Sequence, residues 1–161
     1  MSAAAGRGVH RRWIALAPVA LWTSIASLHA ASRAPAELEI TDVAFLRAGQ
    51  SDNAEWIREE PRAVWPPEER ERRYRFSFDA ARAGGDFGAI YLPTVTMNAA
   101  VHLNGARLGD GGRFESPLPR NTNRPLLFQF PRSQLQSGEN VVDVRVVTEP
   151  PGRGSLGPVF V

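Results

Sequence analysis

The sequence has no cysteine and no lysine. Without cysteine there is no disulfide staple, no thiol nucleophile, no zinc–thiolate site and no iron–sulfur cluster. The fold must then rest on its core alone. Histidine is scarce as well, and His102 is the only one after residue 30. A metal site or general base normally needs convergent partners, which a single histidine flanked by Val101 and Leu103 does not supply. No GxSxG elbow and no HExxH pair occurs. The absence of lysine beside abundant Arg, Ala, Gly and Pro points to a high-GC bacterial genome.

The charge balance shifts along the chain. Arg7, Arg11 and Arg12 precede an apolar run, Trp13 to Leu28, of 16 residues. That run is shorter than the roughly 20 residues of a membrane-spanning helix. Ala26, Ser27, Ala30 and Ala31 supply small residues for cleavage. Residues 1–30 therefore read as a signal peptide or an N-terminal anchor, and residues 37–161 as the exported domain. The leader carries three of the 19 basic residues and none of the 17 acids, leaving 16 against 17, or −1, for the rest. With its basic excess confined to the leader, the chain is not expected to bind nucleic acid. The mixed cluster EERERRYR, Glu68 to Arg75, reads as the solvated start of a strand.

After the leader the pattern is that of short strands. Glu37 to Leu46 alternates apolar residues, with a shift between Ile40 and Val43. Arg72 to Asp79 puts Tyr74, Phe76 and Phe78 on one face and Arg75 and Ser77 on the other. Phe87 to Val95, Val101 to Leu103, Leu126 to Phe130 and Val141 to Val147 complete the set. Asn104-Gly105 predicts a type I′ hairpin, because both residues tolerate positive φ. Pro131 to Leu135 allows one helical turn, and Pro150 to Val161 reads as a Pro/Gly-rich exit. Seven or eight short strands and no long helix predict an all-β sandwich.

Catalytic constellations are missing. Gly152 to Gly157 matches GxGxxG in spacing, but prolines flank it and no helix follows. The carboxylates at Glu59/Glu60, Glu68/Glu69/Glu71 and Asp79/Asp86 do not specify two groups facing across a cleft. Asp52, Asn53 and Glu55 fit an Asx turn better than a calcium loop. No metal or cofactor is expected. The loop from Arg113 to Arg124 is richer in recognition chemistry. Arg113, Arg120, Asn121, Asn123 and Arg124 carry amides and guanidinium forks suited to hydroxyls or carboxylates, and Trp65 or Trp56 offers a stacking face. The competing reading has these polar groups bracing the loop and the tryptophans filling the core.

Two segments carry a family resemblance. AVHLNGARLGDGGRF resembles the hydrophobic-x-LNG-x-x-hydrophobic-G hairpin of galactose-binding-like jelly rolls, the sugar-binding domains of family 2 glycoside hydrolases. LQSGENVVDVRV resembles the L-x-x-GEN turn and strand that close those domains. PRNTNRPLLFQFPRSQL with GRGSLGPVFV most resembles the exported N-terminal domains of bacterial membrane-bound sensor histidine kinases. The resemblance runs from Tyr74 to Val161. It implies a galactose-binding-like jelly roll that senses a small molecule or carbohydrate in the periplasm and is tethered to the inner membrane through spans downstream of this sequence. Neither those spans nor the kinase parts occur in these 161 residues. A carbohydrate-binding accessory domain of a glycosidase, or a free-standing periplasmic binding or structural protein, are the alternatives. A homodimer is left open.

Overall fold

The computed structural model describes residues 38–60, 63–82, 85–122 and 124–161. The leader and Asn123 lie outside these. The strands are β1 (Glu39–Ile40), β2 (Val43–Arg47), β3 (Ile57–Glu59), β4 (Glu71–Asp79), β5 (Phe87–Leu92), β6 (Asn98–Leu103), β7 (Ala106–Asp110), β8 (Leu126–Pro131), β9 (Glu139–Val147) and β10 (Val159–Phe160). Single 3-10 turns follow β4 and β8, at Ala80–Arg82 and Arg132–Gln134. One sheet has the order β1-β10-β5-β8 and the other β3-β2-β4-β9-β6-β7. The described ladders are antiparallel.

The two sheets bury one common core. Tyr74, Phe76, Phe78, Val142, Val144, Val146, Ala99, Val101 and Leu103 face it from the larger sheet. Ile90, Leu92, Leu126, Phe128, Phe130 and Val159 face it from the smaller. Each set sits at alternate positions along its strand, as period-two patterning requires. The structure is thus an all-β sandwich, in agreement with the sequence reading.

Two expectations change in detail. The single strand expected over Glu37 to Leu46 is two strands. Ile40 and Val43 are both buried, yet three apart they cannot share one face of a strand. The chain crosses between sheets there, so β1 pairs with β10 and β2 with β4. The Pro/Gly-rich exit is also structured. β10 lies inside the smaller sheet, between β1 and β5. Its approach is packed too tightly for side chains. A Cβ on Gly154 would stand 2.2 Å from the Trp65 ring, and one on Gly157 would stand 2.0 Å from Thr94 Oγ1. Close packing therefore accounts for two of the glycines in the GxGxxG match.

The cluster expected to be solvated is partly buried. Arg72 shares the inward face with Tyr74 and is 2% exposed. Its guanidinium lies 4.0 Å from the Phe45 ring centroid and 5.0 Å from that of Trp65, and Nη2 donates to Glu69 at 2.8 Å. Alternation explains the difference: once Tyr74 faces the core, Arg72 must follow it.

The two motif asparagines join directly. Asn104 and Gly105 have φ of 50° and 81°, as a type I′ turn demands. Asn104 Nδ2 donates to Asn140 Oδ1 at 2.9 Å, and Val141 N donates to Asn104 Oδ1 at 2.9 Å. Asn140 is fully buried; its amide donates to the Gln136 and Gly138 carbonyls, and its oxygen also accepts from Gln136 N. All four hydrogen-bonding positions of that amide are filled.

Two stability outcomes follow. Asn140→Ala strands several buried partners and should cost on the order of 3 kcal/mol in urea unfolding, with the m-value unchanged. Gly154→Ala forces a methyl into the Trp65 ring and should cost at least about 1–3 kcal/mol. A neutral result at either position would show that its neighbourhood relaxes freely.

Candidate functional site

The outward face of the larger sheet carries charge where the inward face carries apolar groups. Register sets the pattern. One row across the strands runs Ala44, Arg75, Asp143, His102 and Arg107. The next runs Leu46, Arg73, Arg145, Ala100 and Asp110. Above these rows lies a hollow of about 300 Å³ lined by Asp52, Arg73, Arg75, His102, Asp143 and Arg145. A second hollow of about 150 Å³ shares Arg73 and Arg145 and reaches Arg47, Gln50 and Glu71.

Arg73 and Arg145 stand directly opposite each other on β4 and β9, an arrangement that like charges disfavour. Carboxylates relieve it. Arg145 forks onto Glu71, Nε to Oε1 at 2.8 Å and Nη2 to Oε2 at 2.7 Å. Arg75 forks onto Asp143, at 2.8 and 3.0 Å. Arg73 Nη2 donates to Asp52, which comes from the loop between β2 and β3. The hydrogen bond to Asp143 holds the Arg75 guanidinium above its ordinary pKa, and the bond to Glu71 does the same for Arg145. A raised guanidinium pKa adds stability that is lost only as pH rises through the folded value, so both stay charged across the neutral range.

Aromatic rings pack against the arginines. Trp56 lies 5.3 Å from the Arg73 guanidinium and 4.2 Å from that of Arg75, ring centroid to Cζ. Phe114 lies 4.8 Å from the Arg145 guanidinium. The floor thus offers donors and acceptors in one concavity, on arginines that aromatic rings contact. Among the described residues, no group of His, Cys, Asp or Glu is arranged to hold a metal ion, and no helix is long and apolar enough to cross a membrane.

The residues singled out from sequence separate into two kinds. Trp65 is 2% exposed, and its Nε1 donates to the Tyr74 hydroxyl at 2.8 Å, so its faces belong to the core and not to a ligand. Asn121 is 8% exposed and donates to the Gly111 carbonyl at 2.6 Å. With fully buried Asn98, whose amide donates to the carbonyls of Gly112 and Arg113, it braces the loop. Arg113, Arg120 and Arg124 are exposed. Arg113 Nε donates to the Pro117 carbonyl at 3.2 Å. Asn123 lies outside the described residues. The loop reaches the outward sheet face through Phe114, whose ring packs on the Arg145 guanidinium.

The sheet-face groups escaped the sequence reading. Alternation within β4 and β9 marks Arg73, Arg75, Asp143 and Arg145 as outward, but nothing local says that these two strands pair or in which register. Asp52 and Trp56 arrive from a loop whose path no motif gives.

No protein-family model matches the sequence, and no curated protein does. Solved structures match in fold. A glycosyl hydrolase family 2 member from Bacteroides cellulosilyticus superposes with a TM-score of 0.54 at 19% identity, over 78% of this chain and 20% of its own. A family 2 β-galacturonidase from Eisenbergiella tayi gives 0.57 at 15% identity, over 78% and 24%. A β-D-glucuronidase from Dictyoglomus thermophilum gives 0.57 at 12% identity, over 80% and 28%. The chain therefore spans between a fifth and somewhat over a quarter of these proteins. At such identities the likeness establishes the shared β-sandwich fold.

The Arg75–Asp143 pair is partly exposed, at 34% and 19% of the two side chains. Asp143→Ala should therefore cost under about 1 kcal/mol in dilute buffer, and the difference should shrink in 1 M NaCl. A loss of several kcal/mol that persists in salt would make the pair part of the core's support.

Proposed function

We propose that this chain is a non-catalytic carbohydrate-binding domain of the galactose-binding-like jelly-roll type, acting as an accessory part of a larger glycan-processing protein exported to the bacterial periplasm. The carrying observation is the fold shared with family 2 glycosidases, matched over a fifth to somewhat over a quarter of their length. A segment of that size has the proportions of an accessory domain. The LNG and GEN segments support the same reading, since both resemble the sugar-binding domains of that family. The hollow adds chemical support: guanidinium donors, carboxylate acceptors and an aromatic neighbour meet the needs of a hydroxylated ring.

The placement as the input domain of a sensor histidine kinase rests on sequence resemblance alone, whereas the fold neighbours above are glycosidases. The accessory placement is therefore preferred. Export rests on the basic and apolar pattern of residues 1–30. Arg113, Arg120 and Arg124, exposed on the loop after β7, are proposed as further glycan contacts.

A glycan array followed by thermal melting with each hit tests the reading. A saccharide present at about 100 times its Kd should add roughly 2.7 kcal/mol and raise the melting temperature by several degrees. If no saccharide on a broad bacterial and plant panel is retained or shifts melting, the carbohydrate reading fails. A full-length transcript encoding membrane spans and a kinase would restore the sensory placement.

A further inference from the structure

We infer that the hollow on the larger sheet is a site for a carboxylate-bearing sugar, and that Asp52 holds the place of the sugar's carboxylate until the ligand arrives. This rests on the carbohydrate reading above and adds both the ligand class and the residue that recognises it.

The three arginines around the hollow are not equivalent. Arg75 and Arg145 each spend two nitrogens on a carboxylate borne by a central strand. Those carboxylates are fixed by register. Arg73 makes its contact through Nη2 alone, to a loop aspartate whose side chain is 64% exposed. Its Nε is buried and has no hydrogen-bond partner among the described residues. A guanidinium presents Nε and Nη2 as a planar fork that a carboxylate fills with two oxygens. Asp52 fills one position of that fork and leaves the other empty.

The charge count points the same way. Arg73, Arg75 and Arg145 are matched by Asp52, Asp143 and Glu71. A ligand carboxylate that replaces Asp52 keeps that balance, whereas an uncharged ligand in the same position leaves Arg73 uncompensated. Asp52 also raises the Arg75 pKa through space, which places the charge it contributes within reach of both arginines.

A sugar fits the remaining space better than a bare anion. The hollow, at about 300 Å³, lies at the lower end of the ~300–1,000 Å³ found for small-molecule sites. Beyond Arg73 it presents donors from Arg75 and Arg145, acceptors from Asp143, and the His102 ring. Trp56 stands against Arg73 and Arg75 and belongs to the same loop as Asp52.

Titration calorimetry on the full chain with sodium D-glucuronate, D-glucose and sodium acetate at matched ionic strength tests this. Glucuronate should bind at least tenfold more tightly than the other two. Arg73→Gln should abolish the heat while leaving the melting temperature within a few degrees, and Arg73→Lys, which keeps the charge but loses the fork, should lose most of it. Asp52→Asn removes the internal competitor and should tighten glucuronate binding several-fold, because a larger fraction of the protein is then competent to bind. A purely structural Asp52 would instead give weaker binding, and that result overturns the inference. Equal affinity for acetate, or glucuronate binding indifferent to Arg73→Gln, overturns it as well. If only neutral glycans bind, this inference falls and the carbohydrate function stands. If no saccharide binds, both fall.

Discussion

The hydrogen bond between Asn104 and Asn140 is the constraint on which the larger sheet depends. β9 is the central strand of the β4–β9–β6 unit and pairs along its whole length with β4. A slip of one residue would exchange its two faces. Val142, Val144 and Val146 would move to solvent, and Asp143 and Arg145 would enter the core. The Asn104 amide bonds to Asn140, and its oxygen accepts from Val141 N. The backbone of Asn104 also donates to the Val141 carbonyl at 2.8 Å. The hairpin turn after β6 is thereby locked to the first residues of β9, and the register is fixed at one end of the sheet.

That register builds the outer hollow. With Tyr74 opposite Val144 on the inward face, Arg75 must stand opposite Asp143 and Arg73 opposite Arg145 on the outward face. The Arg75–Asp143 fork and the clash between Arg73 and Arg145 are two consequences of the same pairing. Glu71, two residues before Arg73, takes Arg145; Arg73 is left to find its carboxylate elsewhere. It finds Asp52, on a loop. Among the three arginines of the hollow, the one paired with a loop carboxylate is thus a product of strand pairing, not of loop composition.

This explains what could be read in advance. Period-two patterning in Arg72 to Asp79 and Val141 to Val147, and the Asn-Gly turn, report local geometry, and local geometry is what a sequence states directly. The break at Thr41 and Asp42 was visible as a shift in alternation, but its meaning was not, since a change of sheet looks like a bulge in one dimension. The apolar ending at Val159 and Phe160 suits a final edge strand, but not one inside the sheet, because its neighbours Pro150, Gly152 and Gly154 are turn formers, and only the Trp65 ring explains why Gly154 is needed. The loop from Arg113 to Arg124 drew attention through composition, yet its asparagine at 121 serves the loop's own backbone. Composition identifies groups able to bind; it does not say whether those groups are already spent.

Inward and outward positions on the same strands answer to different constraints. Inward residues are fixed by volume: Val142, Val144, Val146 and Val101 have no exposed surface, and a change of one methylene there is felt across the core. Outward residues on the same strands are partly solvated, and their ion pairs hold little of the folding energy. They can change at little cost to the scaffold. Likeness in fold at 12–19% identity therefore informs mainly about the inward set and the turns. The ligand must be read from the outward rows, and within them from the group whose hydrogen bonds the fold leaves incomplete. That group is Arg73, held in place by the core through Arg72 and Tyr74 on either side and released to the surface by the alternation that buries them.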